Sequence, residues 1–215
     1  MDLSLNQTIL EKEVLSEKID KKFLIFLSAF FFLISFHLLG IEASKELKDR
    51  VLKYINNIHE FSSDFIQYDD QSLESGSFYI KNKRIRIQYT EPSNIRLILT
   101  TNKAMYYNED LKELEYFNPR NSVAEIFYNI FYLPDFFDNS NFYNNEGYII
   151  MQKLISIKQN DKITIKIFFE KNPLVIRKVE IYQNNQVLTF GIINPNHNPS
   201  LDDKFFSMVS PIIIN

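Results

Sequence analysis

The chain has 215 residues, with 24 Lys+Arg against 27 Asp+Glu and a formal net charge of −3, a length that suits one domain with a short appendage. Hydrophobic residues at 45% and charged residues at 24% exclude wholesale disorder, and the near-neutral balance excludes the basic footprint of a nucleic-acid binder. No cysteine and three scattered histidines (His37, His59, His197) exclude a disulfide framework, a thiolate metal site and a cysteine nucleophile, and no cofactor is expected. What the composition offers instead is aromatic mass, Phe 20 and Tyr 12.

At the N-terminus, Phe23 to Leu39 runs for 17 residues without a charge directly after Lys21 and Lys22. Behind it stand Gly40, Ile41, Glu42, Ala43 and Ser44, and Ile at −3 with Ala at −1 suits signal peptidase cleavage after Ala43. An uncleaved anchor is the competing reading, because 17 apolar residues lie at the short end of what spans a bilayer. Residues 1–20 are charged and net acidic, wrong for the start of a signal peptide; either initiation lies near Lys21 or the segment is an unstructured extension. The expected division is 1–43 as extension and signal peptide, and 44–215 as a single exported, almost neutral domain in a bacterial periplasm.

Ser44 is a good N-cap, and Leu47, Val51, Tyr54, Ile55 and Ile58 follow at helical spacing, which predicts an amphipathic helix over about 45–60. From Phe61 the period changes to two. FSSDFIQY, GSFYIK, RIRIQY, NIRLILT, AMYYN and KELEYF alternate apolar and polar residues between turn signals. In RIRIQY, Ile85, Ile87 and Tyr89 face one way and Arg84, Arg86 and Gln88 the other, the pattern of an antiparallel sheet with one wet face.

The pattern breaks at Asn121. Ser122 to Glu125 has the spacing of a capping box and opens an aromatic helix that Pro134 kinks or ends. A polar, Asn-rich loop over 138–147 follows, then four more strands, the last two joined by Asn184-Asn185. Ten or eleven strands are too many for a flat sheet, so it is expected to curl toward a barrel. No GxSxG, HExxH, GxxxxGKS or GxGxxG motif is present, Asp69-Asp70 and Asp202-Asp203 read as solvated turn acids, and His59 and His197 have no partnered nucleophile. An enzyme has no residue-level support.

Several strings, in order, resemble the family of the periplasmic lipoprotein carrier LolA. Phe61-Ser-Ser-Asp-Phe65-Ile-Gln67 resembles the family's F-x-A-x-F-x-Q first strand, and Gly76-Ser-Phe-Tyr-Ile-Lys81 its second. Arg84-Ile-Arg-Ile-Gln-Tyr89 with Pro92 is similar to an R-φ-R-φ-x-Y-x-x-P segment, and Asn102 to Leu111 to a D-G-x-x-x-x-x-Y-D-x-x-L stretch. Leu201-Asp-Asp-Lys-Phe-Phe206 and Pro211 resemble an L-D-x-x-x-F…P terminus, so the likeness spans about 45–211.

The resemblance implies an incomplete, unclosed antiparallel β-barrel of about eleven strands covered by α-helices, a mainly β fold with a helical lid. It also implies a function: taking triacylated lipoproteins from the inner-membrane LolCDE transporter and ferrying them to an outer-membrane acceptor, LolB or an equivalent. The carrier is expected to be a monomer. LolB is itself a lipoprotein with a lipidated cysteine, a role that Cys 0 excludes here. The expected acyl cavity is lined by Phe65, Phe78, Ile80, Ile85, Ile87, Tyr89, Leu97 and Leu99, with Phe127, Ile130, Phe131 and Leu133 as lid. In the family an Arg of an Arg-Pro pair after the second strand holds the lid closed. Here the segment is Asn82-Lys83, one residue shorter and without Pro, which leaves Lys83 or Arg84 as candidate latch. The alternative is a LolA-like domain anchored by Phe23–Leu39, acting as a lipid-binding or envelope-stress sensor like RseB.

Overall fold

The computed structural model describes residues 44–120, 122–158 and 161–211. The apolar run Phe23–Leu39 and the junction after Ala43 lie outside the described residues, and among those described no helix is long and apolar enough to cross a membrane. The chain divides into two units, Met1–Lys45 and Glu46–Asn215, and all eleven strands belong to the second.

Helix α1 occupies 44–56 and buries Leu47, Val51 and Ile55, one residue per turn on a single face. The strands follow as β1 (Glu60–Tyr68), β2 (Leu73–Lys81), β3 (Arg84–Glu91), β4 (Ile95–Leu99), β5 (Ala104–Asn108) and β6 (Glu113–Phe117). Helix α2 (Val123–Tyr132) and a 3-10 turn (Pro134–Phe137) interrupt them. Then come β7 (Asn141–Asn145), β8 (Tyr148–Lys158), β9 (Asp161–Lys171), β10 (Leu174–Gln183) and β11 (Gln186–Asn196). Two hairpins turn on residues in the left-handed region, Asn82-Lys83 (φ 51 and 56) and Asn184-Asn185 (φ 49 and 64), the conformation a two-residue turn between twisted strands needs.

All pairings are antiparallel, in the order β6-β5-β4-β3-β2-β1-β11-β10-β9-β8-β7. The sheet is thus two meanders joined where β1 meets β11, and its unclosed edges are β6 and β7. These edge strands are consecutive in the chain, and the segment joining them contains α2. Closing that gap by chain rather than by hydrogen bonds is what puts a helix over the apolar face.

Direct partners across antiparallel strands share a face. One row runs Phe61, Ile80, Ile85, Leu99, Ala104, and the next runs Ser63, Phe78, Ile87, Leu97. At Gly76, where the β2–β3 register shifts, a Cβ would lie 2.0 Å from the Gln88 carbonyl oxygen, so only glycine allows the strands this close.

Three expectations change. The loop over 138–147 contains edge strand β7, whose Phe142 is buried opposite Met151. Its asparagines disguise it, because three of its five residues are Asn and only Phe142 is buried. The Ser122 hydroxyl makes no cap hydrogen bond to α2; it donates to the Pro119 carbonyl instead. The outer face of β3 is not wet, because the C-terminal segment lies across it. Arg84 pairs with Asp203 at 2.9 Å, and Arg86 donates to the Phe205 carbonyl at 2.8 Å with its guanidinium 3.8 Å from the Phe205 ring centre. Burial, with Arg96 nearby, lowers the Arg86 pKa to about 10. A small second core of Ile98, Met105 and Tyr107, packed by Leu114 and Met208, lies on the outer side of β4 and β5.

Candidate functional site

The concave face holds one continuous apolar layer. Phe65, Phe78, Ile80, Ile85, Ile87 and Leu99 are buried within it, and Tyr89 and Leu97 are partly buried against it. Strand alternation puts them there, since each stands at an every-second position of its strand and faces its cross-strand partner. Phe190 of β11 completes the floor, stacked on Phe65 at 4.6 Å. The Tyr89 hydroxyl donates to Gln67 Oε1 at 3.1 Å, and burial raises its pKa well above the ordinary phenol value.

Helix α2 lies on this floor. Phe127 packs 4.7 Å from Phe190 and 6.3 Å from Phe78; Phe131 packs 5.5 Å from Phe78 and 6.2 Å from Phe61. Ile130 is fully buried beside them. Leu133 is different: it follows the end of α2 with an extended backbone and is 45% exposed, so it does not share that face. The hydrophobic interior of the cup is therefore occupied by the helix's own rings.

A second stripe of α2, Tyr128 and Tyr132, ties the helix to the sheet by polar contacts. The Tyr128 hydroxyl lies 2.8 Å from Thr101 Oγ1 in the β4–β5 turn, and the Tyr132 hydroxyl donates to the Arg84 carbonyl at 3.1 Å beside the β2–β3 turn. Burial raises the Tyr132 pKa, the Tyr128 hydroxyl adding to the effect. Sequence reasoning missed this pair. The available signal was two tyrosines four apart, next to two phenylalanines four apart.

Lys83 and Arg84 sit at this junction in different ways. Lys83 lines a groove of about 280 Å³ with Ile55, Phe131, Tyr132 and Pro134, where α1, the hairpin and α2 meet. The Arg84 side chain points to the outer face and Asp203, while its backbone carbonyl receives the Tyr132 hydroxyl. The lid contact thus runs from helix side chain to hairpin backbone.

At the same C-terminal end of α1, the Tyr54 hydroxyl lies 3.0 Å from His197 Nε2 and accepts from the Ile176 amide at 3.2 Å. The β9–β10 register shift falls at Ile176 to Lys178, which is where this side-chain contact is made. Burial pushes the Tyr54 pKa up to about 12 and holds His197 below its ordinary value.

No characterised protein matches the chain in sequence. Among solved structures, an uncharacterized conserved protein from Thermus thermophilus is similar at 10% identity and TM-score 0.49, over 76% of this chain and 92% of that one. The Pseudomonas aeruginosa MucA/MucB complex is similar at 9% and 0.46, over 76% of this chain and 61% of that one. LprF from Mycobacterium bovis is similar at 6% and 0.39, over 75% and 97%. The family of the outer membrane lipoprotein carrier protein LolA matches residues 56–209, most of the described chain. That family is one of carriers rather than catalysts, and a periplasmic location agrees with it. By that match, this chain belongs to the LolA family.

Proposed function

We propose that residues 44–215 form a single lipid-binding domain that shields the acyl chains of lipoproteins in the cup between its sheet and α2. The observation that carries this reading is that the apolar floor is covered by a helix from the segment joining the unclosed edges β6 and β7, and not by a second sheet. Phe65, Phe78, Ile80, Ile85, Ile87, Tyr89, Leu97 and Leu99 would form the wall, and Phe127, Ile130 and Phe131 the lid.

The energetics favour an exchange. Each methylene removed from water is worth about 0.8 kcal/mol, so three acyl chains carry tens of kcal/mol against free diffusion. Lid rings displaced by acyl chains exchange one apolar contact for another at little net cost. The bias toward closure then rests on a few polar contacts worth about 1 kcal/mol each, chiefly those of Tyr128 and Tyr132. Tyr132 with the Arg84 carbonyl takes the place of the family's latch. Apolar burial is non-directional, which suits a carrier serving many lipoproteins.

In the carrier form of this proposal the leader is cleaved after Ala43 and the monomeric product shuttles from LolCDE to LolB or an equivalent acceptor. A second form keeps the same cup but retains Phe23–Leu39 as an anchor, making a tethered lipid-binding or envelope-stress sensor; the length and lack of charge of that run favour it. Cell fractionation with N-terminal sequencing separates them. Soluble periplasmic protein starting at Ser44, with lipoprotein retained in native mass spectrometry, supports the carrier. An intact N-terminus in the inner membrane supports the tethered module, and absence of any bound acyl species in either fraction removes both.

A further inference from the structure

The inward positions of β1 are Phe61, Ser63, Phe65 and Gln67. Phe61 and Phe65 are buried rings, and Gln67 is hydrogen-bonded to Tyr89 and Glu74. Ser63 is 4% exposed and its Oγ has no hydrogen-bond partner. Phe78 faces it from β2. On the other side the β1–β11 register shifts between Ser62 and Asp64, so Ser63 has no direct partner on that strand. The lid rings Phe127 and Phe131 pack against the same Phe78, which places Ser63 in the floor beneath α2.

A hydroxyl kept unpaired among aromatic rings costs free energy that an alanine would not. Alanine is also what the family's F-x-A-x-F-x-Q pattern has at this position. The other hydroxyls around the cup, those of Tyr54, Tyr89, Tyr128 and Tyr132, all have partners.

We propose that Ser63 is a carbonyl-binding position of the cup, its hydroxyl donating to an ester carbonyl of a bound lipoprotein's acyl groups once the lid rings have moved aside. The inference rests on the acyl-binding reading above and adds a selectivity to it. The phenylalanine walls accept any hydrocarbon, whereas the unpaired donor that Ser63 puts in the floor favours chains that carry a carbonyl and fixes how deep they sit. A dialkyl ether of the same length fills the same volume but offers no carbonyl.

The test is displacement of a bound fluorescent apolar probe by a diacylglyceryl-cysteine peptide and by its dialkyl ether analogue. The wild-type protein is expected to bind the diester about fivefold more tightly, the worth of one hydrogen bond. Ser63→Ala is expected to bring the diester down to the level of the diether, with the empty protein melting no lower than wild type. Equal binding of the two by wild type, an undiminished preference in S63A, or a clear loss of melting temperature in S63A each overturns the inference while leaving the cup intact. Failure of wild type to bind either compound instead overturns the acyl-binding reading, and this inference with it.

Discussion

Tyr132 joins a lid side chain to a hairpin carbonyl, and a phenylalanine there keeps the ring while deleting that contact. Tyr132→Phe is expected to cost about 1 kcal/mol of stability in the empty protein and to speed uptake of an acyl probe, because the closed state that competes with the bound one loses its tie. Thermal unfolding beside stopped-flow uptake checks both. Arg84→Ala retains the carbonyl that Tyr132 uses, so it is expected to leave uptake unchanged and to loosen the C-terminal segment through loss of the Asp203 pair. His197 sets a different dependence. Its ring packs edge-on against Phe61 at 5.2 Å and Tyr54 at 5.6 Å, and Glu60, Lys81 and His59 line the same recess. Because burial lowers its pKa, the folded state resists protonation that the unfolded chain accepts at about pH 6.5. Stability is therefore expected to be full above that pH, to fall as pH drops toward the lowered folded value, and to level off below it. The carboxylates held low by hydrogen bonds, Asp69, Asp110 and Asp138, add a separate loss at more acidic pH. Melting temperatures between pH 7.5 and 5 should fall for wild type and stay flatter for His197→Gln.

Helix α2 is ten residues long, has no side-chain cap at its N-terminus and no basic residue in its last turn, so its stability comes from packing. Phe131→Ala is expected to raise amide hydrogen exchange in α2 about tenfold or more while the β1–β3 amides keep their protection. Phe78→Ala, at a fully buried position of the floor, is expected to cost about 3–5 kcal/mol and to lower protection throughout. Equal effects of the two changes on the sheet would make α2 ordinary core. Much of this element was legible in the sequence: apolar residues at i, i+3 and i+4 identified the face of Phe127, Ile130 and Phe131, and Pro134 marked the end. Leu133 was grouped with them by apolarity alone, but Pro134 disfavours helical backbone in the residue before it, and the side chain turns outward. Strand β7 was hidden for the converse reason, since an edge strand needs only one buried residue, Phe142, and its asparagines read as loop. The role of Arg84 was illegible because strand period says which face a side chain takes, not that a segment 119 residues later covers that face.

At the scale of the molecule, the antiparallel sheet and the helix are built differently, and that difference predicts how a ligand enters. Every strand is held by a ladder to its neighbours, while α2 is held by ring packing and by the tyrosine contacts to the β2–β3 and β4–β5 turns. The rings of Phe127 and Phe131 occupy the floor that an acyl chain would use, so the chain enters only if α2 moves relative to the sheet. Cross-linking makes this testable, because the chain has no cysteine and two introduced thiols are the only reactive ones. Thr101 and Tyr128 face each other across the helix–sheet seam, and Thr101→Cys with Tyr128→Cys, bridged by a short cleavable bis-thiol linker, pins α2 to the β4–β5 turn. The bridged protein is expected to keep its melting temperature or raise it, and to lose acyl-probe uptake. Cleaving the linker should restore uptake to the level of the unbridged double variant. Each single-cysteine variant treated with the same reagent controls for modification alone. Undiminished uptake by the bridged protein would mean that acyl chains reach the molecule by a route that leaves α2 in place, and the cup beneath it would then be structural core.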